Sequence, residues 1–282
     1  MAKTYLACLT LLYAMGIQAQ TYYQMYLHTG FKYLDSYIVL DTVKSIVTYD
    51  LTLCEDLSEP TKVVKDIITL QVGRQRAVTY SENLYQADSI STEMKRSGSN
   101  LAKVHPGYTQ REVLYRNYPK GKITTVYRMF LYGTPLKYIE DIPRMSWELA
   151  DKEKVILGYR CKQAFVKYRG RDYEAWYAPD IPIFLGPWKF AGLPGLILEL
   201  YDQQRQFVYT CTSIANPIQD TPLRYWKWRC KSTTRDKARA TIRYMHKHPN
   251  QYAIADYGYG VAIRGGGDPE SIIIRYTPIE LE

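Results

Sequence analysis

From residue 41 onward the chain repeatedly sets a short run of β-branched and aromatic residues on each side of a Gly, Pro or Asp turn, and this punctuation constrains the fold most. Residues 41–53 contain the run SIVTYDLTL. Residues 67–72 and 76–80 flank a turn around Gly73, and residues 113–118 and 123–130 flank Pro119-Lys120-Gly121-Lys122. Each pair reads as an antiparallel hairpin. Two further hairpins carry enough pattern to suggest a register. With Gly170-Arg171 as a two-residue turn, Lys167 faces Glu174 and Phe165 faces Trp176. With residues 202–205 as a four-residue turn, Leu200 faces Phe207, Leu198 faces Tyr209 and Leu196 faces Cys211, which sets six largely apolar side chains on one face that must be buried. Tyr, with 28 copies, favours strands and offers contact area with a polar tip. The fold class expected is mostly β (α+β), a curved antiparallel sheet or half-open barrel of hairpins with one or two short helices.

The two helical segments are 87–95, which is short, and 233–247. The second begins at a cap-like Thr233 with Asp236, carries Ala238, Ile242 and Met245 on one face, and is stopped by Pro249. Its Arg235, Lys237, Arg239, Arg243 and Lys247 read as a solvated basic face. Tyr257-Gly258-Tyr259-Gly260 and Gly265-Gly266-Gly267 mark turns before a final strand at 272–276.

The first twenty residues read as an export signal. Lys3 supplies the positive start, residues 5–17 form an uncharged apolar stretch, and Ile17-Gln18-Ala19 places a small residue for cleavage, leaving Gln20 as the new terminus. A stretch of about 13 residues is short of the roughly 20 that a spanning helix needs. Cys8 stands too early to be a lipid-attachment site. The division expected is therefore a signal peptide at 1–19 and one β-rich domain over 20–282, periplasmic or secreted, with no transmembrane segment in the mature chain. In an exported protein the net charge of +9 suggests attraction to anionic envelope surfaces rather than to nucleic acid. Four cysteines remain after cleavage: Cys54, Cys161, Cys211 and Cys230. They permit two disulfides in three connectivities, or buried free thiols.

GxSxG, HExxH, P-loop and dinucleotide motifs are absent, and Gly265-Gly266-Gly267 lacks the Lys-Ser/Thr of a phosphate cradle. The histidines are His28, His105, His246 and His248. The last two read as cations at a helix C-terminus rather than as a metal pair. Lys162 could lower the thiol pKa of Cys161, but structural burial is the simpler role. Glu140 and Asp141 are adjacent in a strand, so they point to opposite faces and read as polar surface. Residues 224–229, RYWKWR, interleave aromatic and basic side chains; an edge strand, or a partner, peptide or glycan contact, suits them in an exported chain. No catalytic residue, metal site or cofactor is expected.

Between Trp147 and Asp202 the sequence becomes distinctive. Residues 156–164, ILGYRCKQA, lead into Gly170-Arg171, then EAWYAPDIP at 174–182, GPWKF at 186–190 and GLPGLI at 192–197. This resembles the GLPGLI family, also called Porph_ging, of exported bacterial proteins named for that hexapeptide. The resemblance is strong over about 55 residues and implies an identity without a biochemical activity. Gly192, Leu193, Pro194, Gly195, Leu196 and Ile197 are therefore carried as structural markers. Pro182, Pro187 and Pro194 cannot donate ladder hydrogen bonds, so residues 179–195 should form an irregular crossover, packed against the sheet by Trp176, Trp188 and Phe190. The fold expected is like the half-open barrels of periplasmic lipoprotein carriers, a likeness that does not establish function.

The function expected is that of a noncatalytic envelope protein binding an unknown ligand or envelope protein through its aromatic-rich sheet and Pro-rich crossover. Trp176, Trp188, Phe190, Trp226 and Trp228 are the candidate contacts, on a concave, partly apolar surface. The alternatives are a hydrolase or thiol enzyme without a recognisable signature, and a structural accessory to an outer-membrane transporter.

Overall fold

A computed structural model describes residues 30–282 apart from 106, 131–132, 218, 259 and 261–273. The expected export segment, His28, Gly265-Gly266-Gly267 and most of the expected final strand lie outside the described residues; 274–276 are described and are not a strand.

The chain is mostly β. In order it forms β1 (Tyr37–Thr42), β2 (Ser45–Cys54), β3 (Val63–Val72), β4 (Ala77–Ser81), helix α1 (Glu82–Arg96), β5 (Glu112–Arg116), β6 (Lys122–Tyr127), β7 (Leu136–Asp141), β8 (Glu148–Ile156), β9 (Tyr159–Tyr168) and β10 (Arg171–Ala178). Then come β11 (Leu196–Asp202), β12 (Phe207–Ala215), β13 (Pro222–Trp226), β14 (Lys231–Ser232), α2 (Arg235–Lys247) and α3 (Pro249–Tyr257). Twelve strands make one open sheet in the order β14-β7-β6-β5-β4-β3-β2-β12-β11-β10-β9-β8, and β1 pairs with β13 in a second ladder. All pairs are antiparallel except the short β14–β7 contact.

The hairpins around Gly73 and Pro119–Lys122 form as expected, with Val72 opposite Ala77 and Arg116 opposite Ile123. The other two form with their registers displaced. Tyr168 faces Arg171, so the turn is Arg169-Gly170 and Phe165 faces Glu174. Both turn residues have positive φ, 51° and 80°, and glycine takes the second place, as in an Asn-Gly turn. Likewise Leu200 faces Tyr209 and Tyr201 faces Val208, so the loop is 203–206. Asp202 closes it by accepting from the Phe207 amide at 2.7 Å. A slide of two residues leaves the buried face unchanged, and Leu196, Leu198, Leu200, Phe207, Tyr209 and Cys211 all lie in the core.

The sheet curls strongly. Eight inter-strand steps separate β7 from β10, roughly 38 Å if the sheet were flat. Yet Arg169, in the β9–β10 turn, reaches Glu140 of β7 at 3.3 Å. The remaining gap is filled from both sides. Lys189 of the crossover is fully buried between Glu140 (2.5 Å) and Glu280 (2.7 Å), while Arg235 and Arg239 of α2 hold Glu280 at 2.5 and 2.7 Å. The sheet is thus a half-open barrel, bridged by ions rather than by strand pairing.

Three helices stand among the described residues, one more than expected. α1 extends well beyond 87–95, because Ser81 caps its start by accepting from the Leu84 amide. α2 starts one residue later than expected, at an N-cap Thr234, and Pro249 opens α3 as well as ending α2. Its basic residues divide: Lys237, Arg243 and Lys247 face solvent, whereas Arg235 and Arg239, four apart, turn inward onto Glu280.

Candidate functional site: a cleft beside the crossover

Residues 179–195 form an irregular crossover joining β10 to its neighbour β11. Its backbone polar groups are met locally: Gly186 N donates to Phe190 O, Gly192 N to Phe184 O, Leu196 N to Ile181 O and Ile197 N to Leu185 O. Phe190 is fully buried among Tyr173, Trp188, Tyr168 and Trp147, with ring centroids 4.6–6.3 Å away. Leu193, Leu196 and Ile197 are core residues. Gly195 passes so close to β10 that a Cβ there would stand 2.2 Å from the Ala178 carbonyl oxygen, which explains the glycine.

Beside this crossover lies a small cleft, open to solvent, with room of about 70 Å³. Its walls come from residues 108–112 ahead of and entering β5, from Tyr127, from Tyr209 on β12, from His246 on α2, and from residues 275–279. Tyr127 stands directly opposite Glu112 across the β5–β6 ladder. Trp188 of the crossover donates from Nε1 to Glu112 Oε2 at 2.9 Å, which ties the crossover to the cleft wall.

The polar groups here are held by their neighbours. Asp66, buried beneath the wall, accepts from the Gln110 amide at 2.6 Å and from Ser81 and Asn83; burial pushes its carboxyl up to about 6 against these bonds. The Gln110 side chain is 6% exposed, and its Oε1 accepts from Tyr209 at 2.8 Å. Its Nε2 has no hydrogen-bond partner among the described residues. The His246 ring stacks on Tyr276 at 4.4 Å and lies edge-on to Phe130. Burial, reinforced by the Arg111 charge, lowers its pKa to about 3, so the ring is neutral. Nδ1–H donates to the Arg275 carbonyl at 3.1 Å, which leaves Nε2 as an acceptor 3.5 Å from the Tyr127 hydroxyl. Burial raises both Glu112, where Lys189 opposes it, and Glu55, where Arg275 and Arg111 do.

A family model described as "Protein of unknown function (Porph_ging)" matches residues 169–199, from the β9–β10 turn through the crossover into β11. The chain carries the Porph_ging motif. No curated protein matches the chain. Two solved structures of PNGF-II, in space groups P21 and C2, are similar at 15% and 14% identity, each with a TM-score of 0.47 over 70% of this chain. The chain spans 32% of the length of each PNGF-II chain.

The Porph_ging segment and the aromatic run at 224–229 pack in separate apolar clusters, the run through Trp226 with the half-buried Tyr225 and Trp228. Trp176 (7% exposed), Trp188 and Phe190 belong to one apolar cluster, and Trp226 to another. Trp226 and the half-buried Trp228 stack at 5.3 Å and line a small separate recess with Tyr80, Tyr85 and Arg128. Of the five expected aromatics, Trp176, Trp188, Phe190 and Trp226 are buried, Trp226 and Trp228 line that recess, and Trp188 touches the larger cleft's wall through Glu112. Other expectations change too. His246 is a neutral wall residue, not a solvated cation. Glu140 is half-buried, its side chain in the Porph_ging crossover's ion-pair network, whereas Asp141 is exposed against Lys122. The four cysteines are free thiols, and burial pushes Cys161 up to about 11 despite Lys154, and Cys211 up to about 12.

The sequence reasoning missed Gln110, Glu112, Tyr127 and Tyr276. A signal did exist for His246: it lies four residues after Ile242 on the apolar face of α2. Among the described residues there is no cluster suited to hold a metal ion, and no helix is long and apolar enough to cross a membrane.

Proposed function

We propose that this is an exported protein, cut after Ala19, that works outside the cytoplasm as a noncatalytic binding protein, holding a small polar ligand in the cleft with the Porph_ging crossover behind it. The observation that carries this is Gln110. An amide donor nine-tenths buried and unmet among the described residues costs roughly 1–3 kcal/mol, a cost that a ligand acceptor removes. Supporting it, the cleft combines convergent polar groups with aromatic walls, the usual make-up of a small-molecule site. The raised thiols speak against a thiol enzyme. A hydrolase is the competing reading, drawing on Glu112, Tyr127 and His246 at one wall; it requires the bound molecule to be converted on incubation.

Native mass spectrometry of the protein isolated from its own envelope tests the proposal. The mass should begin at Gln20 and include a bound small molecule, lost in Gln110→Glu, which keeps the acceptor for Tyr209 but removes the free donor. A bare mass in the wild type, or equal retention by the variant, contradicts it.

A further inference from the structure

We infer that the cleft recognises an uncharged, polyhydroxylated ligand, a saccharide unit, and that Trp188 is the positioning residue that orients Glu112 as one of its acceptors. The inference rests on the binding reading above and adds the class of ligand to it.

Charge is the first argument. Arg111 and Arg275 face Glu55 at the cleft, Arg275 also pairs with Asp56 at 3.3 Å, Lys189 opposes Glu112, and His246 is neutral. Such a field rewards neither an anion nor a cation. Hydrogen bonding is the second. The wall offers a donor at Gln110 Nε2, an acceptor at Glu112, and at Tyr127, whose proton is directed to His246 Nε2, a hydroxyl oxygen that accepts. A ligand hydroxyl donates and accepts at one atom, so neighbouring hydroxyls can meet this mixture, whereas an acyl chain would bury it unmet. Shape is the third: the half-buried Tyr108 and Tyr276 give flat apolar area with polar tips at the cleft, suited to a ring with C–H faces and a hydroxyl rim.

The role of Trp188 follows from its backbone. Its φ of 53° is a conformation that a bulky side chain adopts only when its surroundings impose it. Held there, Nε1 donates to Glu112 Oε2 at 2.9 Å, and a carboxylate with a donor on one oxygen can still accept at the other.

The test is a glycan array of neutral, sialylated and uronic-acid oligosaccharides probed with the protein lacking residues 1–19, followed by calorimetry on hits. Neutral glycans should bind, with at least tenfold loss in Gln110→Glu. Trp188→Phe should weaken binding about tenfold. It should also move the low-pH loss of binding to higher pH, because removing a donor to the carboxylate makes Glu112 easier to protonate. A change in Tm alone, with the pH profile unmoved, overturns the positioning role. Binding only of charged glycans, still sensitive to Gln110→Glu, overturns the ligand class but leaves the cleft reading standing. An array without hits, joined with a bare native mass, removes both.

Discussion

Glu280 shows how single side chains decide this structure. It is 4% exposed and accepts from Lys189, Arg235 and Arg239, whose charges outweigh burial and hold its carboxyl down to about 2. A carboxyl depressed from an unfolded value of 4.5 stabilises the fold fully above about pH 4.5, and that contribution disappears as pH falls through about 2. It amounts to roughly 3 kcal/mol. Two other groups act in the same range. His246, neutral when folded, adds stability that is lost as pH falls below 6.5 toward about 3. Asp66, raised to about 6, works the other way, costing stability above that pH and relieving it below 3.8. The variant Glu280→Gln isolates the first contribution. Denaturant melts should find it about 3 kcal/mol less stable at pH 7, with the gap closing toward pH 2; a gap constant with pH would contradict the ion-pair account.

At the scale of elements, the crossover is a piece of core whose shape depends on backbone approach. Gly195→Ala places a Cβ against the Ala178 carbonyl and should cost about 3 kcal/mol or more in a thermal or denaturant melt; a loss within 0.5 kcal/mol would show that the crossover is not packed as described. The hairpins were legible because turn residues and two-residue alternation are local signals. Their offset was not, since a slide of two residues keeps the same side chains inside: Leu200 is buried whether it faces Phe207 or Tyr209. In the β9–β10 hairpin the register is set by glycine taking the second positive-φ position of the Arg169-Gly170 turn. Helix α1 exceeded expectation because its stability comes from Ser81 and from Asp88, which is buried against Arg128 at 2.6 Å. That pairing spans forty positions and leaves no local trace.

For the whole molecule, composition and punctuation pointed to a curved antiparallel sheet or half-open barrel but not to what fills its opening. Glu140, Arg169, Lys189, Arg235 and Glu280 come from five separate places in the chain and meet where β7 approaches the β9–β10 turn. The cleft is equally non-local, with Gln110, Glu112, Tyr209, His246 and Tyr276 brought together by the curl. The expected tryptophans were sought as a surface and serve mainly as packing, as large aromatics in a curved sheet commonly do. What places the site is Gln110, whose backbone Asp66 fixes and whose carbonyl Tyr209 holds. A high-resolution crystal structure of the protein purified from its own envelope tests this most directly. The account predicts density for a non-protein molecule in the cleft with an acceptor atom about 2.9 Å from Gln110 Nε2; an amide turned to a protein partner, beside a cleft closed by its own side chains, would contradict it.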